Sequence, residues 1–127
     1  MTKEFVPYEL AVKLKELGFN EPCIMQWHYT NDLLFCVDVR NYPKYKTNLE
    51  SKSDSLGDCI SAPTFSQAFR WFREKYELVG VPTHQSYDIW NTITGECFIE
   101  IYPLNSYEEA ELACLTKLIE IVEQSKK

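Results

Sequence analysis

The chain has 127 residues, of which 45% are hydrophobic, 14% aromatic and 25% charged. This composition is typical of one folded globular domain and excludes a disordered chain, and a domain of this size buries enough surface to need no disulfide or metal. Thirteen Lys and Arg residues against 19 Asp and Glu residues give a net charge of -6, which repels a phosphate backbone and disfavours general nucleic-acid binding.

The first predicted element is a helix over residues 7–17. Pro7 suits the first helical position, where its missing N–H costs nothing. Leu10 and Leu14 begin an apolar stripe at helical spacing. Gly18 suits the left-handed residue that follows a helix, so we expect the helix to end there in a Schellman cap.

Two β-type runs follow, at residues 23–29 and 33–39. Both alternate along their length, and residues 30–32 between them, Thr-Asn-Asp, are typical of a turn. The sequence therefore predicts an antiparallel hairpin.

The next segment, residues 41–62, is rich in Asn, Ser, Lys and Asp and has no sustained periodicity. Pro43 and Gly57 interrupt it. An irregular connection of about 20 residues is long for a compact domain, and such loops tend to be functional or mobile. We expect an irregular loop, with a short edge strand inside it as the alternative.

Two further helices carry capping boxes at their starts. One covers residues 65–76, with Thr64 and Gln67 as the reciprocal pair, and the other begins at Ser106, with Glu109 three residues later. Apolar stripes along both predict that each packs one side on a sheet.

A second hairpin is predicted from strands at residues 86–93 and 96–102, joined by a two-residue turn at Thr94-Gly95. The element order is then α-ββ-α-ββ-α over one domain, residues 1–127. We expect an α+β fold with a mainly antiparallel four-stranded sheet and the helices packed on one of its faces.

The opposite face of such a sheet is left without a helix. Alternation places Tyr87, Phe98 and Tyr102 on one side of the second hairpin, although both sides carry large apolar groups. We expect this aromatic face to contact a protein partner or a second copy of the chain, giving a homo-oligomer. Cover by the long loop or a terminal helix, and a stacking ligand site, are the alternatives.

The cysteines predict neither a disulfide framework nor a metal site. They are odd in number, widely spaced and without a Cys-x-x-Cys pair: Cys23, Cys36, Cys59, Cys97 and Cys114. No cofactor is expected. The N-terminal residues lack the apolar region of a signal peptide and no apolar run approaches the roughly 20 residues of a membrane span, so a cytoplasmic location without a membrane partner is predicted.

One trio could carry nucleophilic chemistry, because Cys36 could lie across the first hairpin from His28 with Asp38 nearby. No Gly-rich oxyanion segment accompanies these residues, and Cys36 lies in an apolar pattern. A packed cysteine and a protein that is not an enzyme are the prediction.

Two groups combine basic and aromatic residues, a combination that can hold a base and its phosphate or single-stranded nucleic acid. They are Arg70, Trp71 and Arg73 in the second helix and Tyr42, Lys44, Tyr45 and Lys46 in the loop. We favour the alternative of an ordinary solvated helix face and a polar loop.

Three stretches around the predicted helices form a recognisable pattern. They are Glu4-Phe5-Val6-Pro7-Tyr8-Glu9-Leu10-Ala11 with the Leu17-Gly18-Phe19 that follows, Ala62-Pro63-Thr64-Phe65-Ser66-Gln67-Ala68-Phe69-Arg70-Trp71-Phe72-Arg73, and Ser106-Tyr107-Glu108-Glu109-Ala110-Glu111. The pattern resembles a family of small uncharacterised proteins frequent in Bacteroidetes genomes and in their phages and prophages. The resemblance implies a phage- or mobile-element-associated accessory protein in a bacterial host cell and transfers no catalytic residue.

The function predicted from the sequence is protein–protein binding or self-association without enzymatic activity. The alternative is a protein that binds or sequesters nucleotides or nucleic acid, in a counter-defence role, through the two basic and aromatic groups.

Overall fold

The computed structural model of the chain describes residues 4–28, 32–37, 44–51, 59–84, 86–100 and 106–126. The chain divides into two compact units, Met1–Thr64 and Phe65–Lys127. Each unit holds a three-stranded antiparallel sheet. The α+β class is confirmed, whereas the single four-stranded sheet is wrong, because the two predicted hairpins belong to different sheets and each gains a third strand.

The first helix, α1, covers Tyr8–Glu16, with Pro7 at its N-cap rather than inside the first turn. Its predicted end is confirmed. Gly18 has a φ of 99°, and the Phe19 N–H donates to the Leu14 carbonyl at 2.9 Å, which is the long bond of a Schellman motif. A residue without a Cβ is needed there because L-residues with side chains are strained at positive φ.

The first sheet contains β1 (Met25–His28), β2 (Leu33–Phe35) and β3 (Cys59–Ser61) in the order β2-β1-β3. The predicted hairpin of β1 and β2 is confirmed, with Met25 opposite Phe35. The predicted irregular segment 41–62 contains a one-turn helix, α2 (Asn48–Ser51), and ends in β3. β3 is the short edge strand that was the alternative for this segment.

A buried amide explains why that segment is ordered around α2. Asn48 is buried, its Nδ2 donates to the Phe19 carbonyl at 2.7 Å, and its Oδ1 accepts from the Ser61 N–H at 2.7 Å. One side chain therefore joins the end of α1, the start of α2 and strand β3. These bonds join residues that are 29 and 13 positions apart in the sequence, so no local sequence pattern predicts them.

The second unit contains α3 (Phe65–Tyr76), β4 (Leu78–Pro82), β5 (Tyr87–Asn91), β6 (Cys97–Glu100) and α4 (Tyr107–Ser125), with sheet order β4-β5-β6. Both helices pack on the sheet. Ser106 caps α4 by accepting from the Glu109 N–H at 3.2 Å, as predicted. The central core residues are Ile89, Leu115, Leu118 and Ile119, all fully buried.

Strand β4 was not predicted, because Gly80 and Pro82 interrupt its apolar run. Gly80 is nevertheless required by packing. A Cβ on it would lie 2.9 Å from the Cys114 Sγ and 3.0 Å from Leu118 Cδ1, so α4 approaches this strand too closely for a side chain.

The second hairpin turns differently from the prediction. Trp90 lies opposite Cys97 and the Asn91 N–H donates to the Glu96 carbonyl at 2.8 Å, which leaves residues 92–95 as a four-residue loop in place of the two-residue turn at Thr94-Gly95. The Asn91 Oδ1 accepts from the Ile93 N–H at 2.9 Å and the Thr94 N–H at 3.1 Å, and this side-chain bridge favours the longer loop. The positive φ of Gly95, 76°, is confirmed.

Candidate functional site

The second sheet has one face covered by helices. Gly80 of β4 faces Cys114 and Leu118 of α4, and its partner Ile89 on β5 is fully buried. Because side chains alternate along a strand, Tyr87 lies on the same face as Ile89 and is 5% exposed. The prediction that the Tyr87 face is left without a helix is therefore wrong; Phe98 is part of β6, and Tyr102 lies outside the described residues.

The opposite face, which we call the uncovered face, consists of every second residue of the strands. Its described members within the strands are Val79, Val81, Asp88, Trp90 and Cys97. Glu77 and Thr92, which are bonded to each other just beyond the ends of β4 and β5, lie at its edge. Val81 is 42% exposed and Trp90 is 45% exposed. The register puts Val79, Trp90 and Cys97 in one row across the three strands. The large exposed apolar groups of this sheet are therefore on the face opposite the predicted one.

Acidic groups lie at both ends of the uncovered face. Glu77 has its Oε2 3.2 Å from the Thr92 Oγ1, which donates to it, and the Glu77 carbonyl accepts from the Thr92 N–H at 3.0 Å. The register places Asp88 on the face that carries Trp90 and Cys97, and loss of hydration and, secondarily, the Asp88 carboxylate raise the pKa of the Cys97 thiol. The face is apolar in the middle and negative at its ends.

The sequence carries a signal for this charge that the motif analysis missed. Between Lys75 and Lys117 there is no Lys or Arg and there are seven Asp and Glu residues. All three strands of the second sheet fall inside that stretch. A scan of charge along the chain would have marked this sheet before any fold was known.

The basic and aromatic group of α3 does not form an open binding surface. Trp71 is 5% exposed and packs edge-on against Phe72 and Tyr76, with ring centroids 5.1 and 5.4 Å away. The Lys75 Nζ lies 5.2 Å from the centroid of its ring. Trp71 therefore belongs to the core and gives no flat ring for a base to stack on.

The two arginines of that group lie on the solvent side of α3. Arg70 and Arg73 are exposed, and the Arg70 Nε is 3.8 Å from the Glu74 Oε1, one turn along the helix. Such an exposed i,i+4 pair contributes only a few tenths of a kcal/mol. The structure thus separates Arg70 and Arg73 from the aromatic ring with which they were grouped.

The second basic and aromatic group lies in the first unit. The Lys44 Nζ contacts the Glu50 Oε2 at 3.1 Å, and this bond, with the Thr47 N–H, lowers the pKa of the Glu50 carboxyl. Lys46 is held by two backbone bonds to Cys23, each 2.8 Å long. Tyr45 is exposed, and Tyr42 lies outside the described residues.

The proposed nucleophilic trio is not assembled. The Cys36 N–H donates to the Ile24 carbonyl at 2.8 Å, which places Cys36 beside Ile24, while the register pairs His28 with Cys59 of β3. Cys36 is fully buried, and Asp38 lies outside the described residues. The structure gives no approach of Cys36 to His28.

Burial also makes other thiols poor nucleophiles. It raises the pKa of Cys23 to about 12, with the nearby Cys36 adding to the shift, and raises the pKa of Cys114 to about 12, with Asp88 adding to it. Both groups are protonated thiols at neutral pH, whereas the thiolate is the reactive form.

A shallow cavity of about 290 Å³ beside α1 and α2 is lined partly by Asn20 and Asn48, whose side-chain oxygens already accept backbone N–H groups of Leu49 and Ser61. The described residues contain no group of three or more His, Cys, Asp or Glu side chains placed to hold a metal ion. No helix in the described parts of the chain is long and apolar enough to cross a bilayer.

The fold and these sites were compared with known proteins. No family model, curated protein or solved structure matches the chain. The functional argument therefore rests on the geometry of the uncovered face.

Proposed function

We propose that the chain is a non-enzymatic protein that acts by binding another protein molecule through the uncovered face. The observation that carries this proposal is the exposure of Val81 and Trp90 on one face of a sheet, with Trp90 opposite Val79 and diagonal to Val81, while α3 and α4 pack on the other face. Exposed apolar groups in a contiguous patch mark interaction sites, and Trp is enriched among the residues that dominate binding energy.

The state of the thiols supports a binding role over a catalytic one. Cys23 and Cys114 have raised pKa values, and Cys36 lies away from His28. The resemblance to proteins of phages and prophages supports the further proposal that the binding serves an accessory role inside a bacterial host.

Replacement of the two exposed apolar groups tests the proposal. We expect Val81→Ser combined with Trp90→Ser to fold normally and to lose binding. The measurements are sedimentation equilibrium from low to high micromolar concentration, which detects self-association, and affinity capture from a bacterial extract, which detects another protein.

A matched control separates the uncovered face from exposed apolar surface in general. Leu49→Ser and Ile93→Ser replace side chains that are 71% and 78% exposed but lie off the uncovered face. These variants should bind as the unaltered protein does. If Val81→Ser with Trp90→Ser shows the same mass distribution and captures the same proteins as Leu49→Ser, the proposed function is wrong.

A further inference from the structure

The charge of the uncovered face restricts what can bind it. Its described side chains include two carboxylates, Glu77 and Asp88, and no cation. The surrounding sequence cannot supply one locally, since residues 76–116 contain no Lys or Arg. Four of the seven acidic residues of that stretch lie between the end of α3 and the end of β6, and the other three lie in α4, so the sheet and its loops carry negative charge without any Lys or Arg.

The two carboxylates flank the exposed indole. Asp88 is two residues before Trp90 on the same strand, and Glu77 is two residues before Val79, the cross-strand neighbour of Trp90. Strand geometry puts the position of Asp88 roughly 7 Å from that of Trp90 on one side, and Glu77 is bonded to Thr92, two residues beyond Trp90 on the other side. The Thr92 hydroxyl bonded to Glu77 holds one of them near this face.

We infer that the occupant of the uncovered face is a protein segment that carries Arg or Lys beside apolar side chains. This rests on the proposed function and names the partner's chemistry. A guanidinium lying on the Trp90 ring gains a cation–π contact while Glu77 or Asp88 accepts its N–H groups. The aliphatic part of the same side chain packs on Val79 and Val81.

Charge also decides against the other occupants. A second copy of the chain placed face to face would bring Glu77 and Asp88 against the same carboxylates in an apolar contact, and like charges there oppose association. A nucleic acid would bring phosphates to the same acidic surface. A cationic protein segment is instead attracted by both carboxylates.

Three synthetic peptides test the inference without knowledge of the natural partner. They are capped peptides of alternating valine and arginine, valine and serine, and valine and glutamate. Each is added to the 15N-labelled protein, and the indole N–H resonance of Trp90, assigned with Trp90→Phe, is followed by NMR. We expect the arginine peptide to shift this resonance, the serine peptide to do so more weakly and the glutamate peptide to leave it unchanged.

Single charge removals sharpen the test. Glu77→Gln and Asp88→Asn should each weaken binding of the arginine peptide about two- to five-fold, the effect of one exposed ion pair. Glu120→Gln, the same charge change at an exposed position of α4, should leave it unaltered. Binding should also weaken with salt, because the screening length falls from about 10 Å at 0.1 M to about 3 Å at 1 M.

The results separate failure of the inference from failure of the proposed function. Equal shifts with the serine and arginine peptides, or unaltered binding in Glu77→Gln and Asp88→Asn, would overturn the inference and leave a purely apolar binding face. A Trp90 resonance that shifts with protein concentration alone would overturn it in favour of a second copy. If the Trp90 resonance changes with none of the peptides and not with protein concentration, both the inference and the proposed function are wrong.

Discussion

The two faces of the second sheet are compared most directly at two consecutive residues of β5, one on each face. Ile89 is fully buried under the helices, whereas Trp90, the next residue, is 45% exposed on the other face. Alternation along the strand separates the two side chains, but only the packing of α4 against Gly80 decides which face is closed. The comparison teaches that residue size does not identify a core, since the larger side chain is the exposed one.

The largest expected effect comes from truncating each of these neighbours. Ile89→Ala should lower the free energy of unfolding by about 2–5 kcal/mol, because it leaves a cavity among fully buried side chains. Trp90→Ala should lower it by less than about 1 kcal/mol, because a half-exposed group loses little burial. Urea unfolding followed by circular dichroism measures both. Equal losses would mean that the two faces are equally buried.

Thiol labelling compares the faces chemically. Cys97 is half-buried on the uncovered face, while Cys114 is fully buried with its pKa raised to about 12. At pH 8 roughly one in 10⁴ Cys114 side chains is a thiolate, so iodoacetamide should label Cys97 at least about 100-fold faster. Peptide mass spectrometry over time gives the rates. Because both pKa values are raised, labelling of each thiol should speed up as the pH rises, and comparable rates would contradict the assignment of the faces.

A methyl group at Gly80 tests the closed face directly. Gly80→Ala places a Cβ 2.9 Å from the Cys114 Sγ, and overpacking of this kind costs about 1–3 kcal/mol. Val81→Ala, the adjacent position on the uncovered face, should cost less than about 1 kcal/mol. Thermal unfolding of the two variants gives the difference. A Gly80→Ala variant as stable as Val81→Ala would show that α4 can retreat from β4 at little cost.

A smaller effect is expected at Glu77, where α3 passes into the sheet. Its φ of 58° is left-handed, a conformation that costs a side-chain-bearing residue about 1 kcal/mol. Glu77→Gly should therefore raise the free energy of unfolding by about 0.5–1 kcal/mol, although it loses the bond to the Thr92 hydroxyl. Glu77→Ala keeps the strain and loses the same bond, so it should be less stable than Glu77→Gly. The reverse order in chemical denaturation would contradict this.

No effect is expected from nucleotides. With Trp71 in the core, a thermal-shift panel of mono-, di- and cyclic nucleotides should leave the melting temperature unchanged. Stabilisation by one cyclic dinucleotide that disappears in Arg70→Ala with Arg73→Ala would restore the alternative function. Lys117→Ala, a distant change of the same charge, serves as the control.

Local rules predicted the parts of the fold that depend on neighbouring residues. The end of α1 at Gly18 and the cap at Ser106 follow from bonds within a few residues. Strand β4 was not predicted because its glycine is explained only by α4, more than 30 residues away, and the order around Asn48 depends on partners 29 and 13 residues away. The faces of the second hairpin were separated correctly, because the longer loop shifts the pairing by two residues, from Ile99 to Cys97 opposite Trp90, and a shift of two keeps the alternation.

The candidate site was harder to predict than the fold. Trp71 lies beside two arginines and matches a known binding pattern, yet its ring is buried, whereas Trp90 has no such neighbours in sequence. Which indole reaches solvent depends on where the helices pack. The one sequence property that pointed to the right sheet was its lack of Lys and Arg. The charge of a segment is read directly from its sequence, so it can be known before the fold is.

The amide of Asn48 has a consequence for how the first unit folds. Its two bonds use backbone groups that are 29 and 13 residues distant from it, so the amide is fully bonded only when all three segments have met. Helix α2 is a single turn, too short to persist in isolation. The segment that looks least organised in the sequence thus takes its conformation from contacts with distant parts of the chain on both sides of it.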